Sequence, residues 1–332
     1  MTSGPSSSAI SAFWERPARQ PVRVYVGLNS APSVEERATL ALEELKRQGG
    51  FRRSLLVVVS PTGTGWIDPA ALDSLEYLHQ GDVASVALQY SYLTSWLSLL
   101  MEPENGVHAA RSLFNKVYSH WRTLPTDRRP RLYLHGLSLG ALNSQLSTDI
   151  YDVVADPFHG ALWSGPPFRS QRWSEVTRLR EPESPAWLPR FRDGSVIRFA
   201  NQVARPENSY AGWGPIRFIY LQYASDPVVF FDPKAFYREP DWLKGKRGPD
   251  VSPRFKWIPI VTGLQLVFDM AIATSSPTGF GHMYAPEDYL ASWISLTEPA
   301  EVDANISARL KDVLSATTKS ISEKKEGSTN DT

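Results

Sequence analysis

The chain of 332 residues contains no cysteine. Disulfide bonds, a cysteine nucleophile and cysteine-ligated metal sites are therefore excluded. An excess of either charge is also missing, because 35 Lys and Arg residues balance 35 Asp and Glu residues. Nucleic-acid-binding domains normally carry a basic excess or a basic face. We therefore expect no nucleic-acid partner.

Long apolar runs are absent as well. The first twenty residues hold no run that would serve as a signal peptide. The two most apolar windows, VASVALQYSYLTSWLSLLM and IPIVTGLQLVFDMAIA, are interrupted by polar residues or glycine. We interpret them as a core strand and a core helix, and we expect a cytoplasmic protein.

What the sequence has instead is an alternation of strand and helix patterns. The strand candidates are residues 22–28, 54–60, 83–90, 131–136, 161–165 and 216–225. The helix candidates between them include one capped by Ser33 and Glu36 that ends near Gln48, one that begins at Asp68-Pro69, and 104–123. This alternation predicts a mostly parallel sheet with helices on both faces.

The domain plan follows from the segments that lack this alternation. Residues 1–20 and 315–332 are polar and predict a disordered arm and a disordered tail. A single domain at 21–314 lies between them. Residues 166–215 are rich in Pro, Trp and Arg and too long for a simple connection, so they predict a cap inserted over the site. Within this cap, we expect the stretch 180–194 to roof the pocket.

A G-x-S-x-G pattern follows the strand RLYLHG. It reads Gly136-Leu137-Ser138-Leu139-Gly140 and continues into a predicted helix. In such a strand-to-helix turn the serine adopts strained backbone geometry, and its neighbours two positions away must be small. The free amides of the helix start point to the same spot and suit a developing oxyanion. The pattern predicts Ser138 as a nucleophile.

A serine nucleophile needs a general base that follows it in this chain order. Only two of the six histidines, His159 and His282, follow Ser138. His159 precedes a strand and so falls at the wrong end of the sheet. His282 lies in TGFGHMY, where glycines would let a loop approach closely. We therefore favour His282 as the base.

The orienting acid should follow a strand at the same edge of the sheet. Asp226 in YLQYASDPVVF does so, and Pro227 stops the strand there. An Asp-Pro turn without a catalytic role is the plainer interpretation. Asp232 and Asp193 remain alternatives.

Two backbone amides should hold the oxyanion. One is the amide of Leu139, directly after the nucleophile. The other should come from the loop PTGTGW after SLLVVVS, where Pro61 has no N–H. Thr62 is the candidate, with Gly63 as the alternative. No Gly-Lys-Ser/Thr follows this loop, so it is not a phosphate-binding P-loop.

The sequence is also rich in tryptophan, with eleven residues. Four of them, Trp66, Trp96, Trp163 and Trp213, fall in predicted loops or near the cap and suggest an aromatic substrate pocket. Core packing is the alternative for each.

Several blocks together resemble a known family. They are VRVYVGLNSA, SPTGTGWIDP, LEYLHQGDVASVALQYSYLTSWLS, ALWSGPP, YLQYASDPVVF, DVSPRFKWIPIVTGLQLVFDM and GHMY, in order from about residue 21 to 295. The chain resembles the bacterial alpha/beta-hydrolase family 9, which implies the alpha/beta-hydrolase fold. The triad proposed for that family falls on Ser138, Asp226 and His282.

The chain departs from the resemblance in three ways. The family's N-terminal membrane region has no counterpart in this sequence, which argues against membrane association. Leu137 precedes the nucleophile where the family often has a glutamate. The segment before His282 reads as a helix, where the fold usually has a last strand.

These observations predict a serine hydrolase that cleaves a carboxylic ester or lactone of apolar character, without a metal or an organic cofactor. Two alternatives stay open. An acyltransferase or cyclase would use the same triad and share the first half-reaction. A catalytically silent binding protein would keep the fold alone, although the intact Ser, Asp and His argue against it.

Overall fold

The computed structural model describes residues 4–92, 103–206 and 211–329, and its centre is a seven-stranded sheet. In chain order the strands are β1 (Val22–Val26), β2 (Leu55–Ser60), β3 (Val83–Leu88), β4 (Arg131–Leu137), β5 (Gly160–Ser164), β6 (Ile197–Ala200) and β7 (Arg217–Leu221). Their order across the sheet is β1-β3-β2-β4-β5-β7-β6, and every neighbouring pair is parallel. The predicted parallel α/β architecture is confirmed.

Helices connect the strands and cover both faces of the sheet. In chain order they are α1 (Ser7–Trp14), α2 (Val34–Arg47), α3 (Pro69–Leu78), α4 (Pro103–Thr123), α5 (Leu139–Leu146), α6 (Ile150–Val153), α7 (Gln171–Arg178), α8 (Pro227–Phe230), α9 (Val261–Ala271), α10 (Pro286–Thr297) and α11 (Ala304–Thr329). The predicted caps are present. Ser33 and Glu36 form a reciprocal capping box before α2. The Asp68 side chain accepts from the Ala70 amide at the start of α3.

Each face of the sheet carries its own core layer, because successive side chains of a strand point to opposite faces. In β2, Leu56 and Val58 pack with α2 and α4 in one layer. Leu55, Val57 and Val59 pack with α1, α3, α10 and α11 in the other. All six residues of β2 are buried, as the continuous apolar run predicts.

The N-terminal arm differs from the prediction of disorder over 1–20. The structure forms α1 within it, and Ile10 and Phe13 of this helix are buried. The Phe13 ring packs edge-on against Tyr77 of α3, with 5.8 Å between ring centroids. The arm is ordered because its few apolar residues find a partner surface, which local polarity does not reveal.

The predicted tail, 315–332, begins within a helix. Helix α11 begins at Ala304 and extends through this region to Thr329. Leu310 and Leu314, one turn apart on the same face, are buried in the second core layer. The helix is therefore anchored just before the stretch that the sequence predicted as disordered.

The predicted cap at 166–215 is only partly a separate layer. Its described part contains α7, and it also contains β6, which forms the sheet edge beside β7. Within 180–194, Trp187 is buried and its indole N–H donates to the Lys246 carbonyl at 2.9 Å. This stretch is thus part of the packed structure.

A second long segment, 227–280, follows β7 at the carboxyl edge of the sheet and was not anticipated as an insertion. It contains α8 and α9, and the prediction of a helix before His282 is confirmed. None of the helices within the described ranges is both long and apolar enough to cross a membrane.

Candidate active site

Ser138 occupies a strained turn between β4 and α5. Its backbone has φ 58° and ψ −126°, a conformation that non-glycine residues rarely adopt. A methyl group on Gly136 would lie 2.3 Å from the backbone of Gly140, and one on Gly140 would lie 2.1 Å from the carbonyl oxygen of Ser60. Gly136 is therefore required for the turn to close, and Gly140 for the turn to pack against β2.

His282 and Asp226 meet directly. His282 Nδ1 lies 2.7 Å from Asp226 Oδ2, and the aspartate is fully buried. The other carboxylate oxygen, Oδ1, accepts from the Val228 amide at 2.8 Å, so Asp226 also caps the short helix α8. The local sequence Asp-Pro explains this geometry, since proline at the first helical position leaves the Asp side chain free to cap.

The alternative carboxylates lie elsewhere. Asp232 caps the next turn, Pro233–Phe236, by accepting from the Lys234 amide at 2.9 Å. Asp193 is exposed and accepts from both the amide and the hydroxyl of Ser195. His282 thus has Asp226 as its carboxylate partner.

A second donor reaches the same oxygen of Asp226. The Tyr284 hydroxyl donates to Oδ2 at 2.6 Å. Burial, followed by the nearby charge of Asp226, raises the pKa of Tyr284 well above its ordinary value, so the phenol stays protonated and remains a donor. The carboxylate therefore receives hydrogen bonds from an imidazole, a phenol and a backbone amide.

Gly165 lies against the His282 ring and follows β5, the strand next to β4. It follows β5 with φ +50°, and a methyl group here would lie 2.6 Å from His282 Cε1 and 2.9 Å from the Tyr284 hydroxyl. Strand β5 is the neighbour of β4, and the Ser138 amide donates to the Ser164 carbonyl at 2.9 Å. The His282 ring and Ser138 are therefore anchored on adjacent strand ends.

His282 Nε2 is buried and has no hydrogen-bond partner within the described ranges. Ser138 Oγ is thus not hydrogen-bonded to it in this arrangement. Such contacts are often long in enzymes without substrate and shorten in the substrate complex. The nitrogen that would accept a proton is the one left without a partner.

Polar contacts behind the triad tie the base loop to the acid loop. Asp250 Oδ2 accepts from the Ser225 amide at 3.0 Å and from the Ser225 hydroxyl at 2.5 Å. Ser225 Oγ in turn accepts from the Gly281 amide at 2.9 Å. Gln202 Nε2 donates to Asp250 Oδ2 and to the Gly279 carbonyl, at 3.1 and 3.0 Å. These contacts hold Ser225 and Gly281, the residues that directly precede Asp226 and His282.

The other buried histidine near Ser138 is placed differently. His135 lies on β4, and its Nδ1 is 2.9 Å from the Leu162 carbonyl. Complete burial lowers the pKa of His135 to about 4, so it is neutral near pH 7. Its ring packs beside Tyr289 and Trp293 in the second core layer. His135 therefore has a structural position.

The predicted oxyanion donors differ in whether their amides are already hydrogen-bonded. Leu139 is the first residue of α5, so its amide has no acceptor within the helix. The Thr62 amide, by contrast, donates to the Trp66 carbonyl at 2.9 Å and closes the loop after β2. The prediction for Thr62 is therefore wrong in this conformation. The alternative, Gly63, has an amide that no hydrogen bond among the described residues engages.

The four tryptophans that were predicted to line a substrate pocket do not lie together in the structure. Trp66 is exposed on the loop at the carboxyl edge and stays a candidate. Trp163 is a core residue, stacked on Phe218 with 5.1 Å between ring centroids. Trp213 precedes β7 at the opposite, amino edge, under the guanidinium of Arg198. Both were predicted wrongly as pocket residues, and Trp96 lies outside the described residues.

A cleft of about 370 Å³ borders the acid and base loops. It is lined by Ser225, Pro227, Asp269, Ile272, Ser276, Pro277, Phe280 and Gly281. Two of these residues immediately precede Asp226 and His282 in sequence. The cleft thus joins the back of the candidate site to the end of α9.

Comparisons with known proteins show the family of this chain. Among solved structures, Trichoderma reesei cutinase in complex with a phosphonate inhibitor is 13% identical, with 59% of this chain and 75% of that chain covered and a TM-score of 0.31. An acetyl xylan esterase is 14% identical, with 53% and 85% covered and a TM-score of 0.31. No functionally curated protein matches the chain. The model of an alpha/beta-hydrolase family, family 9, matches residues 22–310, and the chain belongs to this family.

Proposed function

We propose that this α/β-hydrolase is a serine hydrolase that cleaves carboxylic esters or lactones of apolar character. Ser138 is the nucleophile, His282 the general base and Asp226 the acid that orients it. The observation that carries the proposal is the 2.7 Å contact between His282 Nδ1 and Asp226 Oδ2, which leaves Nε2 as the free nitrogen.

The chemistry follows the division of roles in a Ser-His-Asp triad. Ser138 Oγ attacks the carbonyl carbon while His282 Nε2 takes its proton, and Asp226 stabilises the imidazolium that results. The amides of Leu139 and Gly63 hold the oxyanion. The tetrahedral intermediate collapses as the leaving alcohol receives the proton from Nε2, and water then releases the acid by the same steps.

Apolar surroundings favour apolar substrates. Trp66 is exposed beside the oxyanion loop, and Ile272, Pro277 and Phe280 contribute to the neighbouring cleft. None of the residues that line this cleft is basic. The cleft therefore offers little to an anionic group and more to an acyl or alkyl chain.

Hydrolysis of p-nitrophenyl acetate and octanoate tests the proposal. Ser138→Ala should lower kcat by about 10⁴-fold or more, since the nucleophile is lost. The variant keeps a Cβ at the same positive φ, so the fold should not change. Ser174→Ala, on the exposed side of α7, is the matched control and should retain full activity. Equal activity of Ser138→Ala and the control would exclude Ser138 as the nucleophile.

A further inference from the structure

Helix α9 has two apolar faces. Its inner face, with Thr262, Gly263 and Leu266, is buried, and Gly263 packs directly on the ring of Phe236. The opposite face carries Val261, Leu264, Phe268 and Ile272 at spacings of three, four and four residues, and all four are exposed. At 100° per residue these positions form one stripe. We name these four residues the outer stripe.

Three further exposed apolar residues flank the outer stripe in sequence, and we call all seven residues the patch. Ile258 and Ile260 precede the helix, Phe280 follows it, and all three are exposed as well. Single apolar residues on a surface are ordinary, but an exposed apolar stripe along one helix face usually marks a site of interaction. A helix that is apolar on both faces is normally covered on both.

The segment that carries the patch is basic. Residues 233–280 contain seven Lys and Arg residues against four Asp and Glu residues, in a chain without net charge. Lys234, Arg238, Arg254 and Lys256 are exposed. Apolar side chains flanked by lysine and arginine are typical of segments that lie in the interface of an anionic membrane.

The patch also lies at the candidate site. Ile272 of the outer stripe and Phe280 line the cleft that ends at Ser225 and Gly281, next to the acid and the base. A surface in contact with α9 therefore lies beside the loops that carry the acid and the base.

We infer that the outer stripe of α9 docks on an anionic lipid surface and that apolar esters carried in that surface are the substrates. The docking rests on the patch alone, whereas the substrate class rests on the proposed function. This inference departs from the sequence-based expectation against membrane association.

A second copy of the chain is the other occupant to consider. Protein interfaces are enriched in aromatic residues, Met and Arg in their central area. The outer stripe has one residue of this kind, Phe268, beside three aliphatic residues, and the exposed charged residues of 233–280 are six basic and two acidic. This composition favours a lipid surface with anionic headgroups over a self-complementary protein surface.

Flotation of the full chain with vesicles tests the docking. Vesicles of phosphatidylcholine with phosphatidylglycerol should carry the protein, and phosphatidylcholine alone should carry less, because the basic residues of 233–280 add attraction. Leu264→Ser/Phe268→Ser should weaken the vesicle partition coefficient by about tenfold or more. These side chains are 46% and 68% exposed, so we expect the fold to tolerate both changes.

A matched control removes exposed apolar groups elsewhere. Tyr151→Ser/Val154→Ser changes side chains that are 86% and 68% exposed, outside the 233–280 segment, and should bind vesicles as the unchanged protein does. Failure of the unchanged protein to float, or equal binding by both double variants, would overturn the docking. A dimer in sedimentation that Leu264→Ser/Phe268→Ser converts to monomer, without vesicle binding, would assign the face to a second copy and overturn it too.

The substrate class is tested separately from the proposed function. With p-nitrophenyl palmitate dissolved in anionic vesicles, Leu264→Ser/Phe268→Ser should lose about tenfold in rate, while its rate on soluble p-nitrophenyl acetate stays unchanged. Loss on neither substrate would overturn the substrate class. Vesicle binding together with full activity of Ser138→Ala would instead refute the proposed function and leave the docking intact.

Discussion

Replacing Gly165 with alanine should disable the candidate site without removing any group that reacts. The residue follows β5 with φ +50°, and the new methyl group would lie 2.6 Å from His282 Cε1 and 3.0 Å from Nδ1. Carbon atoms in ordinary contact lie about 3.5–4.0 Å apart. The imidazole must therefore move by about 1 Å, away from its present position against Asp226.

A displacement of about 1 Å at a reacting group costs about 100-fold in rate. We therefore expect Gly165→Ala to lower kcat/KM for p-nitrophenyl esters by about 100-fold. The positive φ adds a backbone cost of about 1–2 kcal/mol. This cost lowers the free energy of unfolding and does not change the rate of the reaction.

Gly245→Ala separates the two effects. Gly245 has φ +72°, and a methyl group placed there meets no atom within 4 Å. This control should lose similar stability in urea unfolding but keep its kcat/KM. If both variants had the same kcat/KM, Gly165 would not position His282, and the described contact would have no role in the reaction.

Further changes test other parts of the structure. Asp226→Asn should lower kcat by about 10⁴-fold, because the imidazole then takes the wrong tautomer. Asp232→Asn should leave kcat nearly unchanged. The reverse order would contradict the choice of Asp226 as the acid. Tyr284→Phe removes a donor from the charged Asp226 Oδ2 and should lower kcat/KM by about tenfold; an unchanged kcat/KM would make Tyr284 a packing residue only. Trp187→Ala should lower the free energy of urea unfolding by about 3–5 kcal/mol; a loss below 1 kcal/mol would show that 180–194 is not part of the core.

The features that the sequence predicted are those set by neighbouring residues. The capping box at Ser33 and Glu36, the Asp68-Pro69 helix start and the buried strand β2 depend on local patterns, and all three are confirmed. The glycines around Ser138 are also local, because the turn itself brings the backbone of Gly140 onto Gly136.

The features that were missed depend on contacts between distant residues. Gly165 has to be glycine because His282 and Tyr284, more than a hundred positions away, pack against it. The Thr62 amide is used by a turn to Trp66, and only the folded loop reveals this hydrogen bond. The buried face of α1 likewise depends on Tyr77 of α3. No periodicity in the sequence encodes such partners.

Peptide mapping after reaction with a fluorophosphonate tests the central claim most directly. The reagent phosphonylates a serine that an adjacent base has activated. We predict one adduct, on the hydroxyl of Ser138, that forms in the unchanged protein and is lost in His282→Ala. An adduct on another residue, or none in an otherwise folded protein, would contradict the assignment of Ser138 as the nucleophile.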